Sequence, residues 1–564
     1  MILDQIKKNL EKQIFAVFGL PKNFEIKWQT PPNPAWGDLA LPIFEIAKTP
    51  KVQGDEIVKK VQKLKLPASV EKIETKAGYV NFFLEPNFLA RGLAKELAAK
   101  SLGKKNSGKK KTIMLEFSQP NTHKEFHVGH LRGSVLGQSL VNILQAHGDK
   151  VIAANYLGDV GAHVAKWLWC YKKWHDGEEP GADKAKFLSK IYQEAAKKSE
   201  ANPEHKKEVA QIQKKLEQGD RTLLRVWKKT RKWSIDEFKK IYKILGVNFD
   251  IYFYESEEEA PGKKIVEKLR RRGIAKTSRG AAVMDLEKYN LEIFLLQKAD
   301  GAALYATKDL ALAFKKFKKY KIDESWHLVD VRQTLYFRQL FKTLRLAGLK
   351  KIFKHLAYEF VSLPEGVISS RSGRMVGFNE IFEKVSGLAA QETAKRHKGW
   401  PKKKIERASR AIALAAMKFD MLKQSREKQI IFDPKQALSF EGFTGPYLLY
   451  TLARINSIQR RAGRGIEKIK HRDKLKIEPI EKQLLVKLAQ FSQITAAAAR
   501  QAEPALVAQY LFDLCKTFAE FYHAVNVLKA EPAERVWRLE LIKNIKQVLE
   551  YGLELLSIEY LDEM

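Results

Sequence analysis

The chain has 564 residues, 45% of them apolar, which is enough for several domains with real cores and excludes a mainly disordered basic protein. Lys and Arg outnumber Asp and Glu by 102 to 66, a net charge of +36 that suits a polyanionic partner or a surface coated with solvated lysine. No apolar run approaches the ~18 residues that cross a bilayer, and the first residues, with Asp4 and Glu11, lack a signal region, so a soluble cytoplasmic protein with no membrane partner is expected.

The first predicted element is a helix with Leu3, Ile6, Leu10, Ile14 and Val17 on one stripe. GYVNFFLEP (78–86) reads as a strand and turn, and the Gly/Ser/Lys-rich SLGKKNSGKKK (101–111) as a linker. A strand at TIMLEFS (112–118), a helix over 130–146 with Leu136, Leu140, Ile143 and Leu144 on one side, and a strand at VIAANYLGD (151–159) make a βαβ unit and so a parallel sheet. The pattern returns at SWHLVDV (325–331), a helix over 333–347, and LAYEFVS (356–362). The Lys/Glu-rich interval from about 165 to 295 reads as a helical insertion between the two halves. From 401 onward the periodicity is helical, with Pro434, Pro446, Pro479, Pro504 and Pro532 near helix boundaries. The expected class is α/β plus all-α, divided at 1–108, 109–400 and 401–564.

Charge is spread over these regions: +9 in 1–110, +13 in 401–500 and −5 in 501–564. That distribution fits a long ligand better than a single basic tail. The two cysteines, Cys170 and Cys515, make neither a disulfide framework nor, by themselves, a zinc site, and no structural zinc is expected.

HVGH (127–130) falls where the first strand of the sheet passes into its helix, at the carboxyl-end crevice where α/β sheets bind ligands. Two imidazoles at a helix N-terminus suit phosphate charge, and Gly129 lets a flat base approach the backbone. Four residues alone also arise by chance. The longer stretch LEFSQPNTHKEFHVGHLRG (115–133), followed in order by NYLGDVGAH (155–163), ADGAALYATKDLA (299–311), SFEGFTGPYLLYTLARINSI (439–458) and the terminal SIEYLDEM, resembles the arginyl-tRNA synthetases, a class I aminoacyl-tRNA synthetase family. The resemblance covers nearly the whole chain.

It implies a Rossmann-type catalytic domain, a small N-terminal domain holding the tRNA elbow, and a helical anticodon-binding domain of the DALR type. The implied substrates are L-arginine, ATP with Mg²⁺, and tRNA(Arg), joined as arginyl-tRNA through arginyl-adenylate by a monomer that must bind tRNA before it activates arginine. By the resemblance, Glu116, Asn121, His127, Tyr305, Asp309 and Gln333 bind arginine. Asp309 is expected to pair the guanidinium with Glu116 beside it, while Tyr305 packs against it. His127, Gly129 and His130 face ATP. The second class I signature corresponds to VISSRSGRMVGF (367–378), with Ser369, Ser370 and Arg371 in place and Arg374 near them but no lysine; Lys124, before HVGH, is expected to substitute. Tyr447 and Arg454, seven apart on a helix, suit splayed anticodon bases, with Tyr510 and Met564 as further contacts and Tyr79 and Asn81 at the elbow. Tyr79 and Asn81 are equally readable as packing residues of a strand, and a core tyrosine is the alternative reading of Tyr447. Departures from the family pattern are SQPN for SSPN, His123 for alanine, and Val160 for tryptophan. A different HxGH nucleotidyltransferase, or a non-catalytic RNA-binding relative, are the alternative readings.

Overall fold

The stripe on the first helix, Ile2–Phe18, buries Ile2, Leu3, Ile6, Leu10, Ile14 and Phe18. Phe18 completes it in place of Val17, which is 37% exposed, and Gly19 closes the helix in the left-handed conformation (φ 60°) that glycine reaches without strain. This helix shares a core with an antiparallel sheet of β1 (Leu39–Pro42), β2 (Val70–Lys76) and β3 (Tyr79–Leu84), ordered β1-β3-β2. The computed structural model describes residues 1–47, 59–61, 64–98, 110–181, 183–364, 376–463 and 475–564, with Glu45 described by its backbone alone. Residues 101–109 of the expected linker lie outside these.

The strands β4 (Thr112–Glu116), β5 (Lys150–Leu157) and β6 (Ile251–Tyr254) run parallel, the chain stepping outward from β4 to β6. It then builds a separate antiparallel sheet from β7 (Lys276–Ser278), β8 (Ala281–Asp285) and β9 (Ile293–Gln297). It returns to lay β10 (Glu324–Asp330) against the free side of β4, with β11 (Ile352–Tyr358) outside it. The sheet order is therefore β11-β10-β4-β5-β6, and the direction of winding reverses between β4 and β10. That reversal leaves a crevice at the carboxyl ends of those two strands.

The interval read as a helical insertion differs from expectation. It is helical over Ala162–Trp174, Lys184–Ala201, Pro203–Glu217 and Arg221–Leu245, but β6 belongs to the main sheet and β7–β9 form their own. Four residues, IYFY, are too few for a two-residue alternation to stand out in a Lys/Glu-rich stretch.

The signature helix Val128–Ala146 is buried on more than the one side its leucines suggest: Val128, Leu131, Val135, Ser134, Ser139 and Val141 are covered as well. It lies between the sheet and the C-terminal helices. Ser139 Oγ donates to the Leu555 carbonyl at 2.9 Å and Asn142 Nδ2 to that of Glu554 at 2.9 Å. Fully buried Arg132 donates to the carbonyls of Glu359, Ser425 and Arg426. The helices Lys402–Leu422, Gly445–Ala462, Pro479–Gln501, Ala505–Ala524 and Pro532–Leu555 make up the bundle. Pro446, Pro479 and Pro532 sit in the first turns of their helices and Pro504 at an N-cap, where a missing N–H costs no hydrogen bond. Inside the bundle, fully buried Glu481 accepts from Arg538 Nε at 2.8 Å and Trp537 Nε1 at 3.3 Å.

Candidate active site

After β4 the chain turns through positive φ at Ser118, Gln119 and His123 before entering the signature helix. His123, where the resemblance predicts alanine, is fully buried; its ring nitrogens lie 3.0 Å from Thr122 Oγ1 and 2.8 Å from Thr230 Oγ1, tying the turn to the helix Arg221–Leu245. Asn121 forms a backbone bridge with Gly158, and a Cβ on Gly158 would lie 2.1 Å from Asn121 Oδ1, so any larger residue there would displace the Asn121 side chain. Val160 is half-buried against the aromatic cluster of the helical segment.

His127 is the N-cap of the signature helix. Its Nδ1 accepts from the Gly129 N–H at 3.1 Å, while its own N–H donates to His130 Nδ1 at 3.2 Å. Both Nδ1 atoms are thus acceptors, which places the proton of each neutral ring on Nε2. Burial, then the Lys124 charge, lowers the His127 pKa to about 4; burial and the neighbouring His127 hold His130 well below its usual value. The pair therefore offers two neutral Nε2–H donors. A Cβ on Gly129 would come within 3.0 Å of the His127 ring, so this glycine makes room for the imidazole itself. Lys124 is half-buried over the Tyr192 ring at 5.3 Å, and burial lowers its pKa. Ser369, Ser370, Arg371 and Arg374 lie outside the described residues.

Five of the six residues expected around arginine, Glu116, Asn121, Tyr305, Asp309 and Gln333, line one cavity of about 350 Å³ in the crevice. His127 is not in its wall. Leu312, Phe337, Leu340, Phe341 and Phe353 make the apolar floor, suited to an aliphatic stem. The cavity holds three carboxylates, and two are already neutralised. Glu116 Oε2 is 2.5 Å from Lys316 Nζ and its Oε1 is 3.3 Å from His327; burial alone would raise its pKa, but these partners hold it well below the usual range. Glu255 is held by Lys308 at 2.5 Å, both side chains buried. Asp309 accepts a hydrogen bond from the Tyr336 hydroxyl, and among the described residues no Lys or Arg forms an ion pair with it. Burial pushes its pKa up to about 7 against that bond, helped by the charges of Glu116 and Glu255. In the same cavity the Tyr156 hydroxyl is buried and has no hydrogen-bond partner among the described residues.

Glu116 spends its charge on Lys316, leaving Asp309 as the carboxylate open to a guanidinium. Tyr305 is 60% exposed at the rim, so it does not pack over the interior in this structure. Glu255, Tyr156, Tyr336 and Lys316 were not singled out from sequence. Lys316, seven residues after Asp309 on the helix Tyr305–Tyr320, carried a positional signal; the others carried none.

Of the expected tRNA contacts, Tyr447 and Arg454 line one groove with Tyr450, Phe440 and His523. The Arg454 guanidinium is 4.8 Å from the Tyr450 ring centroid and 4.6 Å from that of Tyr522. Tyr510 is only 6% exposed, with its hydroxyl donating to the Lys487 carbonyl at 2.9 Å, and Asn81 is 4% exposed within β3. Neither presents its side chain to a ligand on this surface. Met564 is half-buried against the bundle, and Tyr79 is half-buried at a ring contact with Phe44.

The family model "tRNA synthetases class I (R), catalytic domain" matches residues 92–434. The chain belongs to the arginyl-tRNA synthetases. It is an aminoacyl-tRNA synthetase with the family's activity, arginine–tRNA ligation. Models of the arginyl tRNA synthetase N terminal domain and the DALR anticodon binding domain match residues 2–84 and 448–564. An arginine–tRNA ligase of Clostridium acetobutylicum is 34% identical across all of this chain and 99% of its own. One of Bdellovibrio bacteriovorus is 34% identical over 95% of this chain and 93% of its own. The arginyl-tRNA synthetase structure of Thermus thermophilus superposes with a TM-score of 0.82 at 26% identity, covering 99% of this chain and all of that one.

Proposed function

We propose that Asp309 is the residue by which this synthetase recognises arginine. The observation that carries the proposal is a buried carboxylate without a cation, in a cavity whose other two carboxylates already have lysines. A planar, permanently charged guanidinium reaches both Asp309 oxygens and a neighbouring hydroxyl at once; a lysine ammonium, a point charge, satisfies fewer of these groups. The Tyr156 hydroxyl is one such neighbour and Tyr336 fixes the carboxylate. Asn121 and Gln333 then take the α-amino and carboxylate end, which directs the carboxylate toward HVGH.

In the reaction, an arginine carboxylate oxygen attacks the α-phosphorus of ATP and pyrophosphate leaves, giving arginyl-adenylate. The 2′-hydroxyl of the terminal tRNA adenosine then attacks the arginyl carbonyl and AMP leaves. The Nε2–H groups of His127 and His130 donate to the charge that grows on the α-phosphate, and Lys124 adds a positive charge beside them. ATP enters as its Mg²⁺ complex. The residues act by position and charge, with no covalent enzyme intermediate.

The tRNA(Arg) is proposed to lie across the regions 1–108, 109–400 and 401–564, with Tyr447 and Arg454 in contact with the anticodon. The synthetase is proposed to act as a monomer in the cytoplasm. Charging of unfractionated tRNA with each labelled amino acid tests the substrate assignment. Arginine alone is expected to be incorporated; equal charging with lysine refutes the Asp309 reading.

A further inference from the structure

The helical segment outside the sheet carries a cluster that aminoacylation does not use. Cys170 is fully buried near the end of the helix Ala162–Trp174, His175 caps that helix, and Glu194 faces them from Lys184–Ala201. One potential ligand atom from each lies within 4.8 Å of the other two. The imidazole is fixed in orientation: Nδ1 is 3.0 Å from Glu178 Oε1, and Nε2 is 3.0 Å from Glu194 Oε2. Lys198 holds the other oxygen of Glu194 at 2.7 Å, so Oε2 is the one turned inward. None of these residues lines the arginine cavity.

We propose that Cys170, His175 and Glu194 bind one divalent ion of the zinc class. A thiolate with an imidazole selects a borderline-soft metal over Mg²⁺ or Ca²⁺, which take oxygen ligands. In a tetrahedral site ligand atoms stand about 3.3–3.8 Å apart, so the cluster closes with small side-chain rotations. Glu178 supplies the carboxylate that metal-binding histidines usually engage through their second nitrogen. Three protein ligands leave the fourth position to water. Binding releases the Cys170 thiol proton and the proton shared by His175 and Glu194 to solvent, and the ion cross-links two helices. The expectation of no structural zinc rested on counting two cysteines, whereas a Cys/His/Glu set needs only one.

The test is titration of the full-length, chelator-treated protein with Co²⁺, followed by displacement with Zn²⁺. The expected result is one equivalent bound, with a thiolate-to-cobalt charge-transfer band in the near ultraviolet. Cys170→Ser should abolish the band, and Cys515→Ala should keep it. Glu178→Gln should keep the band while weakening Co²⁺ binding about 10- to 100-fold. No near-ultraviolet band at saturating Co²⁺, or a band that survives in Cys170→Ser, overturns the proposal. Should Cys170→Ser fail to fold, Glu194→Gln takes its place, because Glu194 is partly solvent-accessible; unchanged Co²⁺ affinity there overturns the proposal equally.

Discussion

A carboxyl with a pKa of about 7 in the arginine cavity makes arginine binding pH-dependent in a direction that can be worked out. Below pH 7 the ligand-free site holds Asp309 protonated, and the guanidinium requires it ionised, so binding expels a proton. A single group at 7 predicts that arginine affinity rises about tenfold between pH 6 and pH 8 and then levels off. In the ligand-free fold the sign is opposite. Because the folded pKa lies above that of an unperturbed aspartate, about 4, the stability tied to this carboxyl is greatest below about 4 and is lost as pH rises through 7. Arginine should therefore raise the unfolding temperature more at pH 8 than at pH 6. Asp309→Asn removes the charge and keeps the shape. Truncating one partner of a buried, hydrogen-bonded ion pair costs about 2–5 kcal/mol, so arginine should bind about 30- to 5,000-fold more weakly and without the pH dependence. Calorimetry of the enzyme–tRNA complex, in two buffers of different ionisation enthalpy, measures affinity and proton release together. Wild-type affinity that is flat or falls from pH 6 to pH 8, or Asp309→Asn binding arginine as the wild type does, refutes the reasoning.

Loss of either Nε2–H donor, by His127→Ala or His130→Ala, should lower the pyrophosphate-exchange kcat about 100- to 1,000-fold while tRNA affinity stays unchanged. Arg454→Ala should weaken tRNA binding about 5- to 150-fold, the range for a lost stacking platform, and leave the KM for arginine in place, as filter binding and charging kinetics will show. If six phosphates are contacted, raising salt from about 50 to 200 mM should cut tRNA affinity about 1,000-fold with little change in arginine binding. Glu481→Ala takes the buried acceptor from Trp537 and one of two carboxylates from Arg538, which keeps its ion pair with Glu534 at 3.2 Å, and should cost about 1–3 kcal/mol in denaturant unfolding.

The apolar stripes, the βαβ units and the proline-marked helix starts were legible because they depend on neighbours within a few residues. The first helix missed only its last position, where the stripe drifts from Val17 to Phe18. The helix Val128–Ala146 was less legible, since Ser139 is buried by a hydrogen bond to the distant bundle and Ser134 by one to Ser118, instead of by apolar pattern. The same range limits the site. Asp309 and Glu116 look alike as carboxylates until Lys316, 200 residues beyond Glu116, folds against one of them. Glu255 begins a helix rich in surface glutamates, and only the parallel placement of β6 turns it into the cavity. Asn81 and Tyr510 show the converse: the resemblance implied a contact, but the strand and helix faces on which they fall point inward.

The carbonyls that receive Arg132 belong to residues 359 and 425–426, and those that receive Ser139 and Asn142 to residues 554–555, all hundreds of positions after the helix that carries HVGH. During translation that helix is made long before these partners exist. At about 5–20 residues per second, some 400 residues take roughly 20–80 s to follow it out of the ribosome. Throughout that interval Ser139 and Asn142 lack their acceptors, and the Arg132 guanidinium waits through the first part of it for the carbonyls of Glu359, Ser425 and Arg426. The helix that carries HVGH is thus fully satisfied only once the last helix has been made, although the turn before it finds its partners at Thr230 and Ser234 much earlier.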